Sequence, residues 1–182
     1  MSVQMIADSH PLIVKNIVWQ DEAATESFAQ GLARQPAIGR ALIELQGDLG
    51  AGKTTFVRHL LKSMGVQGRI KSPTYAVVEA YVLQTPDPQG GHNPGHGPDL
   101  SNLSNLSIWH FDFYRFNDPN EWEEAGFREL FASPGLKLVE WPEKAAGHLP
   151  QPDLVIAIDM LANESRSIAL KAYTTTGLEL LA

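Results

Sequence analysis

The chain contains no cysteine. That excludes disulfide scaffolds, thiol nucleophiles and Cys-ligated zinc. It has no apolar run near the roughly 18 to 20 residues needed to span a bilayer. The stretch Met1 to His10 has no basic region followed by an apolar segment, so no secretory leader is expected. Basic residues are in the minority: 14 Lys and Arg against 21 Asp and Glu give a net charge of −7 and a pI near 5.3. Such a field excludes gripping nucleic acid by overall charge and leaves room only for a local basic patch. What is present is 182 residues, 43% of them hydrophobic, which suffices for one core. The expectation is a soluble, cytoplasmic protein with no membrane association, folded as a single domain over residues 1–182.

Periodicity outlines the elements. Leu12 to Val14 and Ile17 to Trp19 read as an early strand. Asp21 is a candidate N-cap for a helix over Glu22 to Arg34, with Ala24, Phe28 and Leu32 on its apolar face, ended by Gln35-Pro36. Ala41 to Leu45 is a short β-type run. A helix with Phe56, Val57, Leu60, Leu61 and Met64 on its apolar side follows the glycine-rich stretch, and Gly65 stops it. Further strands are expected over Tyr75 to Leu83, Ile108 to Asp112, Leu136 to Trp141, Leu154 to Asp159 and Ser167 to Tyr173. Asp118-Pro119 with Glu121 reads as the start of another helix, and Gly177 to Ala182 as a short terminal one. Gln84 to Ser107 is rich in proline, glycine and polar residues and reads as a mobile surface insertion. Strands that alternate with helices early and pair late predict an α/β three-layer sandwich, with a mixed, mainly parallel sheet and antiparallel edge strands.

Gly47-Asp48-Leu49-Gly50-Ala51-Gly52-Lys53-Thr54 fits G-x-x-x-x-G-K-[ST] in full. An apolar strand precedes it and an amphipathic helix follows, as a phosphate loop requires. Glycines admit backbone conformations closed to other residues, successive N–H groups turn inward to cradle phosphate oxygens, and the helix adds its positive end. Lys53 would reach the β- and γ-phosphates and the Thr54 hydroxyl would ligate magnesium. Magnesium also calls for a carboxylate at the end of a neighbouring strand. Asp112 and Glu140 each end one and are both candidates. Ser72-Pro73-Thr74 lies between the loop helix and the next strand, where Thr74 could sense the γ-phosphate or merely cap a turn. Arg58, Lys62, Arg69 and Lys71 read more readily as a solvated face than as an anion-binding patch. His92 and His96 sit in the Pro/Gly stretch without a ligand set.

Four motifs occur in order: Gly47 to Thr55, Lys71-Ser72-Pro73-Thr74-Tyr75, His110-Phe111-Asp112-Phe113-Tyr114-Arg115 and Val139-Glu140-Trp141-Pro142. Together, from about Asp21 to Asp159, they resemble the bacterial TsaE family, P-loop ATPases of tRNA threonylcarbamoyladenosine synthesis. The resemblance implies a weak ATPase that works with a threonylcarbamoyl transferase and its non-catalytic paralogue (TsaD- and TsaB-type proteins). The partner installs threonylcarbamoyl on the adenosine 3′ of the anticodon, and ATP hydrolysis here resets the complex, so contact with tRNA is indirect. It further implies ATP and Mg2+ as ligands. Thr54 and Glu140 match magnesium ligands, Asp112 a Walker-B-like acid that also attends the metal, and Thr74 a switch-type threonine. Asp48, Leu49, Gly50, Ala51, Gly52, Lys53, Thr54 and Thr55 would wrap the nucleotide phosphates, Trp141 would stand beside the site, and Trp19 falls where the family contacts the base.

Other readings share the loop. A small-molecule kinase usually carries a lid with arginines, and the long insertion here has no Lys or Arg. A GTPase switch needs a base-reading N-K-x-D pattern, which is absent. A nucleotide-dependent assembly factor would bind ATP and hydrolyse it only incidentally. No arginine finger stands out: Arg115 is the nearest candidate, and a salt bridge to a neighbouring acid is its more ordinary role.

Overall fold

The computed structural model describes residues 10–83, 105–118 and 121–182. Seven strands form one sheet: β1 (Ile13–Trp19), β2 (Leu42–Gln46), β3 (Val78–Leu83), β4 (Leu106–Asp112), β5 (Leu136–Glu140), β6 (Leu154–Met160) and β7 (Arg166–Ala172), in the order β1-β7-β6-β2-β5-β4-β3. The four central strands β6, β2, β5 and β4 run parallel, and β7 and β3 run against them. β1 is antiparallel to β7, so five of the seven strands point the same way.

Strand alternation sorts side chains to two faces. Ile43 and Leu45 of β2, Leu136 and Leu138 of β5, Ile108 of β4 and Ile156 and Ile158 of β6 belong to the larger core, under helices α1 (Glu22–Ala33) and α2 (Lys53–Ser63). Phe111 of β4, Val139 of β5 and Leu42 of β2 face the other way, against α3 (Glu121–Glu124), α4 (Phe127–Ala132) and a 3-10 turn at Pro142–Ala145. The chain is a P-loop NTPase-like three-layer α/β sandwich. A second 3-10 turn, Pro36–Arg40, and the last helix α5 (Thr175–Leu180) pack together at one end of the larger core.

The caps follow the sequence. Asp21 accepts the Ala24 N–H at 2.8 Å and starts α1. All five residues expected on the apolar side of α2 are buried, and Gly65 follows at φ +99°. Glu121 accepts the N–H groups of Asn117 and Asp118 at 2.8 and 3.0 Å, the reciprocal half of a capping box. Pro119 lies outside the described residues.

Some boundaries move. Tyr75 to Val77 are not strand: the Val77 N–H donates to the Pro73 carbonyl at 2.6 Å, and Val77 takes φ +68° before β3 begins. The expected strand end at Trp141 falls one residue earlier, because Trp141 turns into the left-handed region at φ +59°. Leu106 and Ser107, assigned to the insertion, are in β4, where pairing with Leu83 and Val82 recruits them. Residues 84–104 of the insertion that is expected to be mobile, with His92 and His96, lie outside the described residues. Among the described residues no helix is long and apolar enough to cross a membrane.

Candidate functional site

The phosphate loop connects β2 to α2, and its glycines are required by geometry. Gly47 sits at φ +138°, where an added Cβ would lie 2.3 Å from the Ile158 carbonyl oxygen of β6. Gly52 caps α2 at φ +116°. Both are backbone states that other residues rarely adopt. Lys53 is buried in the loop's embrace and donates to the carbonyls of Gly47 at 2.5 Å and Asp48 at 2.9 Å. Its ammonium lies 4.0 Å from the centroid of the Trp141 ring. Burial lowers the Lys53 pKa from its ordinary value, while Glu140, Glu143, Asp112 and Asp48 oppose the shift.

The parallel register of β4 and β5 sets Asp112 beside Glu140 at the carboxyl ends of the strands, where open α/β sheets collect ligands. The two acids have different partners. Glu140 accepts the Thr54 hydroxyl, which lies 3.0 and 2.9 Å from its two oxygens. It is also 2.8 Å from Nε2 of the fully buried His110. Asp112 accepts from Thr74 at 2.7 Å, from Ser72, and from the Tyr114 N–H at 3.0 Å. Ser72 and Thr74 are themselves 2.6 Å apart. One acid is thus tied to the phosphate loop and the other to the switch-like segment.

Between them opens a pocket of about 290 Å³. It is lined by Leu49, Gly50, Gly52, Lys53, Thr54 and Thr55 of the phosphate loop and its helix and by Ser72, Thr74, Asp112, Tyr114, Glu140 and Trp141. The donors suited to a cation are a hydroxyl and two carboxylates, an all-oxygen set of the kind magnesium prefers. Among the described residues no cluster of three or more His, Cys, Asp and Glu could hold a metal unaided.

The sequence matches the family described as "Threonylcarbamoyl adenosine biosynthesis protein TsaE" over residues 19–168. The chain belongs to the TsaE family. It is 38% identical over 152 residues to a protein of Haemophilus influenzae (strain Rd), covering 84% of this chain and 83% of that one. A Bacillus subtilis (strain 168) relative is 32% identical over 131 residues, covering 72% and 69%. Both are named "tRNA threonylcarbamoyladenosine biosynthesis protein TsaE". The crystal structure of Bacillus subtilis YdiB superposes with a TM-score of 0.65 at 26% identity, covering 93% of each chain.

The residues expected from the TsaE motifs converge on this pocket, with exceptions. Trp19 does not reach it: the ring is 3% exposed, stacked on Phe56 at 5.7 Å and tilted against Phe28 at 5.4 Å. The ring's partners are residues of α1 and α2, so the side chain packs in the core under these helices. Ala51 is likewise buried, and Asp48 contributes its carbonyl to Lys53. Among the described residues Arg115 forms no salt bridge; its guanidinium lies 4.0 Å over the exposed Tyr75 ring. Three contacts had no signal in the motifs. They are His110 behind Glu140, Ser72 on Asp112, and Arg166, whose Nε donates to the Ala51 carbonyl at 3.3 Å. Each depends on pairing between segments far apart in sequence.

Proposed function

We propose that this chain is the Mg-dependent ATP-binding and ATP-hydrolysing subunit of a cytoplasmic tRNA threonylcarbamoyladenosine system. One observation carries the chemistry: Lys53 and Thr54 of the phosphate loop line one pocket together with two strand-end carboxylates, Thr54 already bonded to Glu140. Family membership supplies the pathway. The partners are a threonylcarbamoyl transferase and its non-catalytic paralogue, and tRNA is met through them.

Loop amides from Asp48 to Thr55 hold the phosphate oxygens, and Lys53 leaves its two carbonyl acceptors to meet the β- and γ-phosphates. Thr54 and Glu140, already in contact, would hold magnesium, and Asp112 would attend it. Bound magnesium supplies Lewis-acid stabilisation of charge on the phosphates. Water attacks the γ-phosphorus in line, the bond to the β–γ bridging oxygen breaks, and ADP and inorganic phosphate leave. Asp112 accepts a hydrogen bond from the attacking water, and Thr74 from the same hydroxyl pair senses the γ-phosphate. Among the described residues no arginine lines the pocket, and Arg166 is engaged with the Ala51 carbonyl, so hydrolysis is slow in the isolated subunit and faster in the assembly.

The test is phosphate release from ATP by the chain alone and with the transferase pair, with a nucleoside assay of the tRNA. Slow release alone, stimulation by the pair, and Mg-ATP-dependent modification are expected. Fast release by the isolated chain, or phosphate transferred to a small acceptor, contradicts the proposal.

A further inference from the structure

His110 is a costly choice for its position. It lies in the middle of β4, fully buried, with Ile108 on the same sheet face and Leu138 opposite it in the β5 register. A leucine would fill such a place without desolvating a ring nitrogen. Among the described residues its Nδ1 has no hydrogen-bond partner, so the buried imidazole has one polar contact there, the Oε1 atom of Glu140 at 2.8 Å.

The contact follows from register. Asp112 pairs with Glu140 and His110 with Leu138, so His110 and Glu140 are diagonal neighbours on adjacent strands, within reach of a long side chain. The orphaned Nδ1 decides the tautomer. A proton there would be a buried donor with no acceptor, whereas a proton on Nε2 is donated to the carboxylate. A glutamate's terminal torsion is broad and does not fix its own carboxylate plane. The Thr54 hydroxyl straddles both oxygens at 3.0 and 2.9 Å and does not choose between them. The His110 N–H does choose: it occupies Oε1 and leaves Oε2 with the Thr54 hydroxyl as its sole protein partner among the described residues.

We infer that His110 is a positioning residue that holds the Glu140 carboxylate in one orientation, with Oε2 and the Thr54 hydroxyl presented together toward a divalent cation. This rests on the proposal that the pocket takes Mg-ATP. His110 touches neither nucleotide nor metal; it acts through Glu140. Outer hydrogen-bond partners of metal-binding groups commonly set metal affinity by about 10- to 100-fold. Here that effect would appear as the strength with which Mg2+ and ATP support each other's binding.

The experiment is calorimetric titration of the full chain with ATP, once in Mg2+ and once in EDTA, for wild type, His110→Leu and His110→Gln. His110→Leu keeps the bulk and removes the donor; His110→Gln restores an N–H near the position of Nε2. His110→Leu should lose about tenfold or more of the Mg2+ enhancement, with ATP affinity in EDTA within about twofold of wild type, and His110→Gln should recover most of the loss. A role confined to packing predicts the reverse: equal weakening with and without Mg2+, unrelieved by glutamine, which overturns the inference. Should His110→Leu fail to fold, 15N spectra of the wild-type histidines decide. The Nε2–H tautomer, with its proton signal moving when Mg-ATP is added, supports the assignment, and an Nδ1–H tautomer overturns it. A wild-type chain whose ATP affinity ignores Mg2+ defeats the ATPase proposal itself. Coupling that is present in wild type and intact in His110→Leu defeats only the role of His110.

Discussion

Replacing Glu44 with glutamine should stabilise the chain at alkaline pH and leave it nearly unchanged in acid. Glu44 lies within β2, three residues before the phosphate loop, and is only 9% exposed. Burial pushes its carboxyl up from 4.5 to about 7, with Glu143 adding repulsion and a hydrogen bond from Gln46 pulling the other way. The folded state therefore holds this proton more tightly than the unfolded chain does. The resulting stability is fully present below pH 4.5, and it is lost as pH rises toward about 7. At about 1.36 kcal/mol per pH unit, the span from 4.5 to about 7 amounts to roughly 3 kcal/mol. For a chain of this size that corresponds to a rise in Tm of about 6–12 °C for Glu44→Gln near pH 8. Thermal or urea unfolding of both proteins from about pH 4 to pH 8 isolates the effect, because contributions from the other acids cancel in the difference. A difference that stays flat over that range would mean that the Glu44 carboxylate is solvated and the reasoning is wrong.

Other consequences are equally specific. Lys53→Ala removes a charge-assisted contact worth about 1.5–3 kcal/mol, so ATP should bind about 10- to 100-fold more weakly and the thermal shift with Mg-ATP should largely vanish. Because burial lowers the Lys53 pKa, ATP affinity should begin to fall at a lower alkaline pH than an exposed lysine would allow; Kd measured from neutral to alkaline pH checks this. Gly47→Ala forces a Cβ against the Ile158 carbonyl in a strained backbone state, and should cost at least about 2 kcal/mol in urea unfolding as well as nucleotide binding. Asp112→Asn should still bind ATP while phosphate release falls about a hundredfold, read from single-turnover kinetics.

The phosphate loop was legible because its chemistry is written in consecutive residues: Gly47, Gly52, Lys53 and Thr54 need no tertiary information. The apolar stripe of α2 and the Asp21 cap were legible for the same reason. Asp112 and Glu140 could be named as strand-end acids, but the residues alone, apart from the family resemblance, did not show which partners each would have. That depends on Thr54 meeting Glu140 and on Ser72 and Thr74 meeting Asp112, contacts made between segments 38 to 86 residues apart. His110 opens one of the four motifs, but only the parallel register of β4 and β5 reveals the carboxylate it serves. A chain position just before α1 does not say which way the Trp19 ring turns; it stacks on Phe56 and tilts against Phe28. Glu44 carried no sign of burial, since its sheet face is covered by the turn at Pro142–Ala145, nearly 100 residues later.

The central claim is that ATP cleavage in this pocket drives repeated rounds of tRNA modification by the partner enzymes. Modified nucleoside formed per transferase, counted over many turnovers with wild type and with Glu140→Gln bound to ATP, addresses it directly. Continued accumulation with wild type and arrest after about one round with the variant is the expected result. Undiminished multiple turnover with a variant shown to bind ATP without cleaving it would contradict the account and leave binding alone as the role.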